Sequence, residues 1–315
     1  MFKNLNPSAL GVTGHQSEII ELALTFGFKG FDLEIADFAT RAKLRGMPYA
    51  RRLIDSAKIG VGTFQLPIAW DTDEDVFKKD LEKLPYYAEV AAEVGCTRCV
   101  ATVAPAGDKL PYHENFEFHR GRFSAICEAL QPAGVRFGIG FQAAEYLRKD
   151  TTFQFIHDFD ALTLLMNMVE APNIGLLLDV WDLVASGGSV DAIRQLSVDQ
   201  IVAVQIADMP AGVHMDALDA KSRLLPGAEN GQIDLAGALH ALMEMGYDGP
   251  VTVKPSPGVF ETRRRDIVVK KAAEALDKVW RMAQGETVEV AAAPAEPPET
   301  AETTEPEAPA EPTDS

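Results

Sequence analysis

Eight short apolar runs, rich in β-branched residues, alternate with longer helix-period segments along most of this chain, and no other feature restricts its fold as strongly. The runs lie near Ala9–Thr13, Gly30–Ile35, Ile59–Gln65, Arg98–Val103, Val135–Gly140, Ile174–Asp179, Ile201–Ile206 and Val251–Lys254. Between them sit segments such as Val76–Val94, where Leu81, Leu84, Tyr87, Ala88 and Ala91 recur at three- and four-residue steps, and Leu235–Met245. Strands joined through helices run parallel, with each crossover helix covering the sheet. Eight βα units predict an α/β fold of the closed (β/α)8 TIM-barrel type over residues 1–284. A doubly wound open sheet is the alternative; it ordinarily uses fewer strands and a Gly-rich phosphate turn, which this sequence lacks. Closed parallel barrels collect reactive groups where strands end, which singles out Glu34, Gln65, Thr102, Asp179, Gln205 and Lys254.

Past Gly285 the composition shifts to Glu, Pro, Ala and Thr. Residues 286–315 hold eight Glu and Asp314, with no Lys, Arg or aromatic residue. Low hydrophobicity and self-repulsion leave nothing to offset the entropy of ordering, so a disordered acidic tail is expected over residues 285–315. That tail holds half of the formal net charge of −18. Such a balance repels phosphate backbones and anionic lipid, so neither nucleic acid nor a membrane is an expected partner. Met1–Leu10 lacks the apolar core of a signal peptide, and no run approaches the roughly 18 apolar residues of a membrane span. Cys96, Cys99 and Cys127 are too few for a disulfide framework. A cytoplasmic setting is expected.

Motifs that announce a chemistry are scarce. Cys96–Thr97–Arg98–Cys99 has a CxxC spacing but enters a strand, where residues three apart face opposite sides, and no second pair follows. Of the six histidines only His15 falls near a predicted strand end, and His214 lies in the loop after the seventh run. There is no GxSxG elbow, no Gly-Lys-Ser/Thr phosphate loop and no close Ser/His/Asp set.

The last third is more specific. PNIGLLLDVWD at Pro172–Asp182 reads as a buried strand delivering a carboxylate, followed by IVAVQIAD at Ile201–Asp208, RLLPGAENGQIDL at Arg223–Leu235 and MGYDGPVTVKP at Met245–Pro255. With GFKGFDLEI after the first helix and AEVAAEVGCTRCV before and within the fourth strand, the chain resembles the sugar phosphate isomerase/epimerase family. These are the xylose isomerase-like barrels, which also include an endonuclease IV branch. The resemblance runs over nearly all of residues 8–283.

The resemblance implies a divalent metal such as Mn or Mg, held by Glu, Asp, His and Glu at the ends of strands five to eight. The metal stabilises an enediolate while the two glutamates pass protons on opposite faces of a sugar. Carried over residue by residue, those positions fall on Gly140, Asp179, Gln205 and Lys254, and the His that usually follows the strand-six Asp is Asp182. Three of four ligands are replaced, so no metal and no other cofactor is expected, with the Lys254 ammonium paired to Asp179 across the barrel mouth. Arg223 resembles the family arginine that reaches over the mouth toward substrate oxygens or phosphate, the alternative being a loop salt bridge with Glu229. Glu34 resembles a pocket carboxylate able to act as base. Gln205, His15, Trp70 and Trp181 are candidates for the sugar-binding wall, with Asp182 and Asp208 as an acidic rim.

Two functions follow. One is a metal-free sugar or sugar-phosphate isomerase or epimerase, with Lys254 as electrophile and Asp179 or Glu34 as base; a Schiff-base lysine is a remote variant. The other is an inactive barrel that binds a sugar or polyol for regulation or assembly. Self-association into a homo-oligomer stays open. DNA repair, the endonuclease IV chemistry, requires a His/Glu-rich zinc cluster and a basic face, and neither is present.

Overall fold

The chain enters its sheet earlier than its apolar pattern suggests. In the computed structural model, which describes residues 1–286, β1 is Phe2–Leu5. The expected first strand at Ala9–Thr13 is instead a 3-10 turn, Ser8–Leu10, closed by Gly11 at φ 65°, followed by a loop. Lys3 and Asn4 hide β1 from a hydrophobicity reading, and Asn4 is polar because it faces the polar interior described below. Residues 287–315, nearly all of the expected acidic tail, lie outside the described residues.

After α1 (Gln16–Thr25) come β2 (Gly30–Phe31), α2 (Ile35–Arg45) and α3 (Met47–Ala57). The run at Ile59–Gln65 forms two short ladders, β3 (Gly60–Val61) and β4 (Phe64–Gln65). Where one helix was expected at Val76–Val94 there are two, α4 (Glu74–Leu81) and α5 (Leu84–Ala92). Pro85 lies in the first turn of α5, where its missing N–H is harmless, whereas mid-helix it would break a hydrogen bond. Next are β5 (Arg98–Thr102), β6 (Ala106–Gly107), α6 (Tyr112–Leu130), β7 (Arg136–Gly140), β8 (Phe153–Gln154) and α7 (Phe159–Val169). The remainder is β9 (Ile174–Asp179), α8 (Val180–Ala185), β10 (Ile201–Ile206), α9 (Leu235–Glu244), β11 (Pro250–Val253) and α10 (Arg265–Ala283).

The main sheet has the order β3-β2-β1-β11-β10-β9-β7-β5-β4, all parallel. β3 and β4 are halves of one stave. The first pairs with β2 and the second with β5, so the order closes on itself as an eight-stave TIM barrel, as the sequence pattern predicts. β6 and β8 form a small antiparallel pair from the loops after β5 and β7. Among the described residues no helix is long and apolar enough to cross a membrane. All three cysteines are buried free thiols, and burial pushes Cys96 and Cys127 up to about 12, which leaves them inert.

Most buried apolar residues lie between the sheet and the helices. A separate cluster of Val100, Leu177 and Ala203 fills the inside of the barrel. Below it, β10 carries a bulge between Ile201 and Ala203. The bulge turns Val202 toward Gly138 and Gly175, which are register partners on β7 and β9. A Cβ on Gly138 would sit 2.9 Å from Val202 Cβ, and one on Gly175 would sit 2.7 Å from the Gln200 carbonyl oxygen. These glycines are the holes that receive Val202. Gly138→Ala is therefore expected to lower stability by about 1–3 kcal/mol through overpacking. Chemical denaturation should show that adding Val202→Ala, which keeps the clashing Cβ, recovers little of that loss.

Candidate functional site

Register places a polar layer above the apolar plug. Asn4 of β1 pairs with Thr252 of β11, Thr252 with Gln205 of β10, and Gln205 with Asp179 of β9. Side-by-side residues of parallel strands share a face, so these four buried side chains point into the barrel. Gln205 Oε1 is buried there without a hydrogen-bond partner. Asn4 Nδ2 donates to Thr252 Oγ1 at 3.2 Å and to Asp32 Oδ1 at 2.7 Å.

Asp179 ends β9 and caps α8, its Oδ1 accepting from the backbone N–H of Trp181 at 3.1 Å. Lys254 Nζ donates to its Oδ2 at 3.0 Å, and Arg223 Nη1 reaches both oxygens at 3.1 and 2.9 Å. The other arm of Arg223, Nη2, donates to Asp182 Oδ2, while Asp182 Oδ1 accepts from Ala143 N at 2.9 Å. The guanidinium lies 4.3 Å over the ring of Trp181, whose Nε1 donates to Ser222 O at 2.9 Å. Arg223 itself is fixed by a backbone pair with Ser256, N to Oγ at 3.2 Å and O from N at 2.8 Å. Two carboxylates and two cations thus form a neutral set joining the loops after β7, β9, β10 and β11.

Burial alone would raise the Asp179 carboxyl, but Arg223 and Lys254 outweigh it and bring it down to about 2. Burial, with the Asp179 charge beside it, pushes Asp182 up to about 6 against the pull of Arg223. The cavity at this cluster, lined by Tyr146, Trp181, Asp182 and Arg223 among others, is only ≈ 30 Å³.

The other expected residues are dispersed. Glu34 is exposed at the start of α2 and lines a different cavity from Arg223. His15 is exposed, and its backbone N–H is held by Glu18 Oε2 at 2.8 Å, so it caps α1 rather than facing the mouth. Trp181 is 1% exposed with Arg223 over its ring, a core position rather than an open platform. Trp70 packs at 5.2 Å on His119 and 5.1 Å on Phe123. Arg223 bonds to Asp179 and Asp182, not Glu229. Asp208 is no rim residue; it is buried and accepts from the backbone of Met209, Gly227 and Ile233. His214 is exposed and contacts Asp216. The carboxylate at the true end of β2 is Asp32, which the sequence reading passed over for Glu34.

A family model described as a xylose isomerase-like TIM barrel matches residues 20–279. The chain belongs to the xylose isomerase-like TIM barrel family. It is 31% identical to a 3-dehydroshikimate dehydratase of Pseudomonas putida over 118 residues, 37% of this chain and only 17% of that protein's length. It is 23% identical to an inosose isomerase of Bacillus velezensis over 210 residues, 66% of this chain and 70% of that protein. A xylose isomerase domain protein from Alicyclobacillus acidocaldarius superposes with a TM-score of 0.79 over 90% of this chain and 99% of its own, at 24% identity.

Within this xylose isomerase-like barrel, the positions that the resemblance assigns to metal ligands supply one carboxylate. Gly140 has no side chain, and a Cβ there would meet Leu177 O at 3.2 Å. Lys254 brings a positive charge, and both Asp179 oxygens already accept from cations. Among the described residues no three His, Cys, Asp or Glu side chains are grouped to hold a metal ion. The donor set does not fit the family's divalent cation.

Removing Arg223 leaves Asp182 buried without its cation and Asp179 with only one. Arg223→Met is expected to cost about 3–5 kcal/mol in urea unfolding, with most of the loss recovered when Asp179→Asn and Asp182→Asn are added. Arg223→Lys should not rescue, because an ammonium lacks the fork that reaches both carboxylates. The raised Asp182 makes the folded form hold a proton that the unfolded chain has released. Its stabilising contribution is complete below pH about 4 and is lost as pH rises through about 6. Asp182→Asn should therefore flatten the fall in unfolding free energy between pH 4 and 6.

Proposed function

We propose that this chain is a metal-independent member of its family that does not isomerise sugars, and that it takes a small neutral sugar or polyol at the barrel mouth only when the loops carrying Tyr146 and Asp219 move apart, because the ≈ 30 Å³ cavity there is too small for a sugar as it stands. The observation that carries the reading is the simultaneous capture of both Asp179 oxygens by Arg223 and Lys254. A carboxylate held at about 2 is a poor proton acceptor near neutrality, and the lysine that would polarise a carbonyl is already engaged. Glu34, the other expected base, lies at another cavity. Arg223 is committed to two carboxylates, so a substrate phosphate finds no free guanidinium, which favours neutral sugars over sugar phosphates. Relatives named for an inosose and a dehydroshikimate agree with a small hydroxylated ligand.

One observation favours the enzyme reading. Asp182, at about 6, has the proton affinity of a general base. Its oxygens, however, are held by Arg223 and the Ala143 N–H.

A single set of measurements separates the two. Metal analysis of protein purified without chelator should find no stoichiometric Mn, Mg or Zn, and incubation with ketoses in D2O should give no deuterium exchange at the carbon beside the carbonyl. A thermal-shift panel should find a sugar or polyol that raises Tm by mass action, with sugar phosphates giving no larger shift. Stoichiometric metal lost in Asp179→Ala, or exchange lost in Lys254→Met, would overturn the reading.

A further inference from the structure

Between the ends of β1 and β2 and the first turns of α1 and α2 lies a second cavity, of ≈ 180 Å³, lined by no member of the Asp179 cluster. It is smaller than the roughly 300–1,000 Å³ of ordinary drug-sized pockets, so it suits a small molecule. Val12, Ile19 and Phe31 form an apolar wall. The polar groups facing them are incompletely matched.

Asp32 Oδ1 accepts from Asn4 Nδ2 at 2.7 Å and Thr63 N at 3.0 Å, both neutral donors. Glu34 has only a long contact of 3.5 Å from Ser8 Oγ. Among the described residues neither carboxylate has a basic partner within ion-pair distance. Asp37, by contrast, has Arg41 at 3.3 Å. Burial pushes the Asp32 carboxyl up to about 6, and the neighbouring Glu34 charge adds to the effect, as expected where a cation is lacking.

Gln16 supplies the second mismatch. Arg41 Nη2 donates to Gln16 Oε1, which fixes the amide orientation and turns Nε2 away as a donor. The residue is 9% exposed, lines the cavity, and Nε2 is buried without an acceptor. Arg41 also lines the cavity, but its charge is taken by Asp37; the cavity therefore presents two carboxylates lacking a cation and two buried N–H groups lacking an acceptor, Gln16 Nε2 and Arg41 Nε. An anion would be repelled. A neutral sugar would leave the carboxylates uncompensated, and a metal ion would gain nothing from the nitrogen of Gln16. We propose that this cavity binds a small hydroxylated primary amine, its ammonium pairing with Asp32 and Glu34 and its neighbouring hydroxyl oxygen accepting from Gln16 Nε2.

Isothermal titration of the full chain tests this with ethanolamine and D-glucosamine against their neutral counterparts ethylene glycol and D-glucose, and with calcium chloride alone. At least one amine is expected to bind at one per chain and at least tenfold tighter than its neutral counterpart. Glu34→Gln, an exposed and structurally mild change, should weaken it at least fivefold, and Asp32→Asn should abolish it. Gln16→Leu should erase the preference for ethanolamine over ethylamine. Lys254→Met should leave amine binding unchanged, which separates this cavity from the site at the mouth. Equal binding of amine and neutral counterpart, binding of calcium at the same stoichiometry, or no heat from either amine at millimolar concentration would each overturn the proposal.

Discussion

A carboxylate drawn out of water must find positive charge or keep its proton, and Asp179 sits at 6% exposure at the end of β9. Much of the barrel mouth is arranged to meet that requirement. Arg223 supplies a planar fork wide enough for two carboxylates, so Asp182 is drawn into the same set. Asp182 in turn receives the Ala143 N–H from the segment after β7, and Ser256 after β11 fixes the Arg223 backbone. Trp181 gives the guanidinium an apolar floor while its own indole N–H is satisfied by Ser222. One buried charge thus organises loops from four strands.

The interior below explains why this solution differs from a metal centre. Leu177 occupies the space beside Gly140, and together with Val100 and Ala203 it fills the barrel with apolar volume. A glutamate at position 140 would have to displace that packing. Positive charge from Lys254 then enters from β11, where it neutralises Asp179 directly. The polar layer of Asn4, Thr252, Gln205 and Asp179 survives as a buried ring in which Asn4 bonds to Thr252 and Asp179 to its two cations.

Some of this was legible along the chain. Asp179 and Lys254 each close an apolar run, so their places at strand ends could be read directly, as could the loss of the glutamate at Gly140. Asp32 was missed for a physical reason: in GFDLEI, Phe31, Leu33 and Ile35 alternate with Asp32 and Glu34, and the pattern does not say where pairing stops. It stops at Phe31, which leaves Asp32 half-buried beside Asn4 and Glu34 exposed at a helix start. β1 was missed because its interior-facing residue is polar, so FKNL carries no strand signature. The Arg223 partners were illegible because Asp179 lies 44 residues away, whereas Glu229 is close in sequence.

The sequence by itself determined the succession of βα units, the closed barrel they form, and the charges that close β9 and β11, because periodicity and residue type are local properties. Only the tertiary structure decided that Asp179, Asp182, Arg223 and Lys254 meet as a neutral set, and that Asp32 and Gln16 face a separate cavity with their needs unmet. The physical reason lies in register and loop path. Both are fixed when the staves close on one another, and neither leaves a trace in the spacing of residues along the chain.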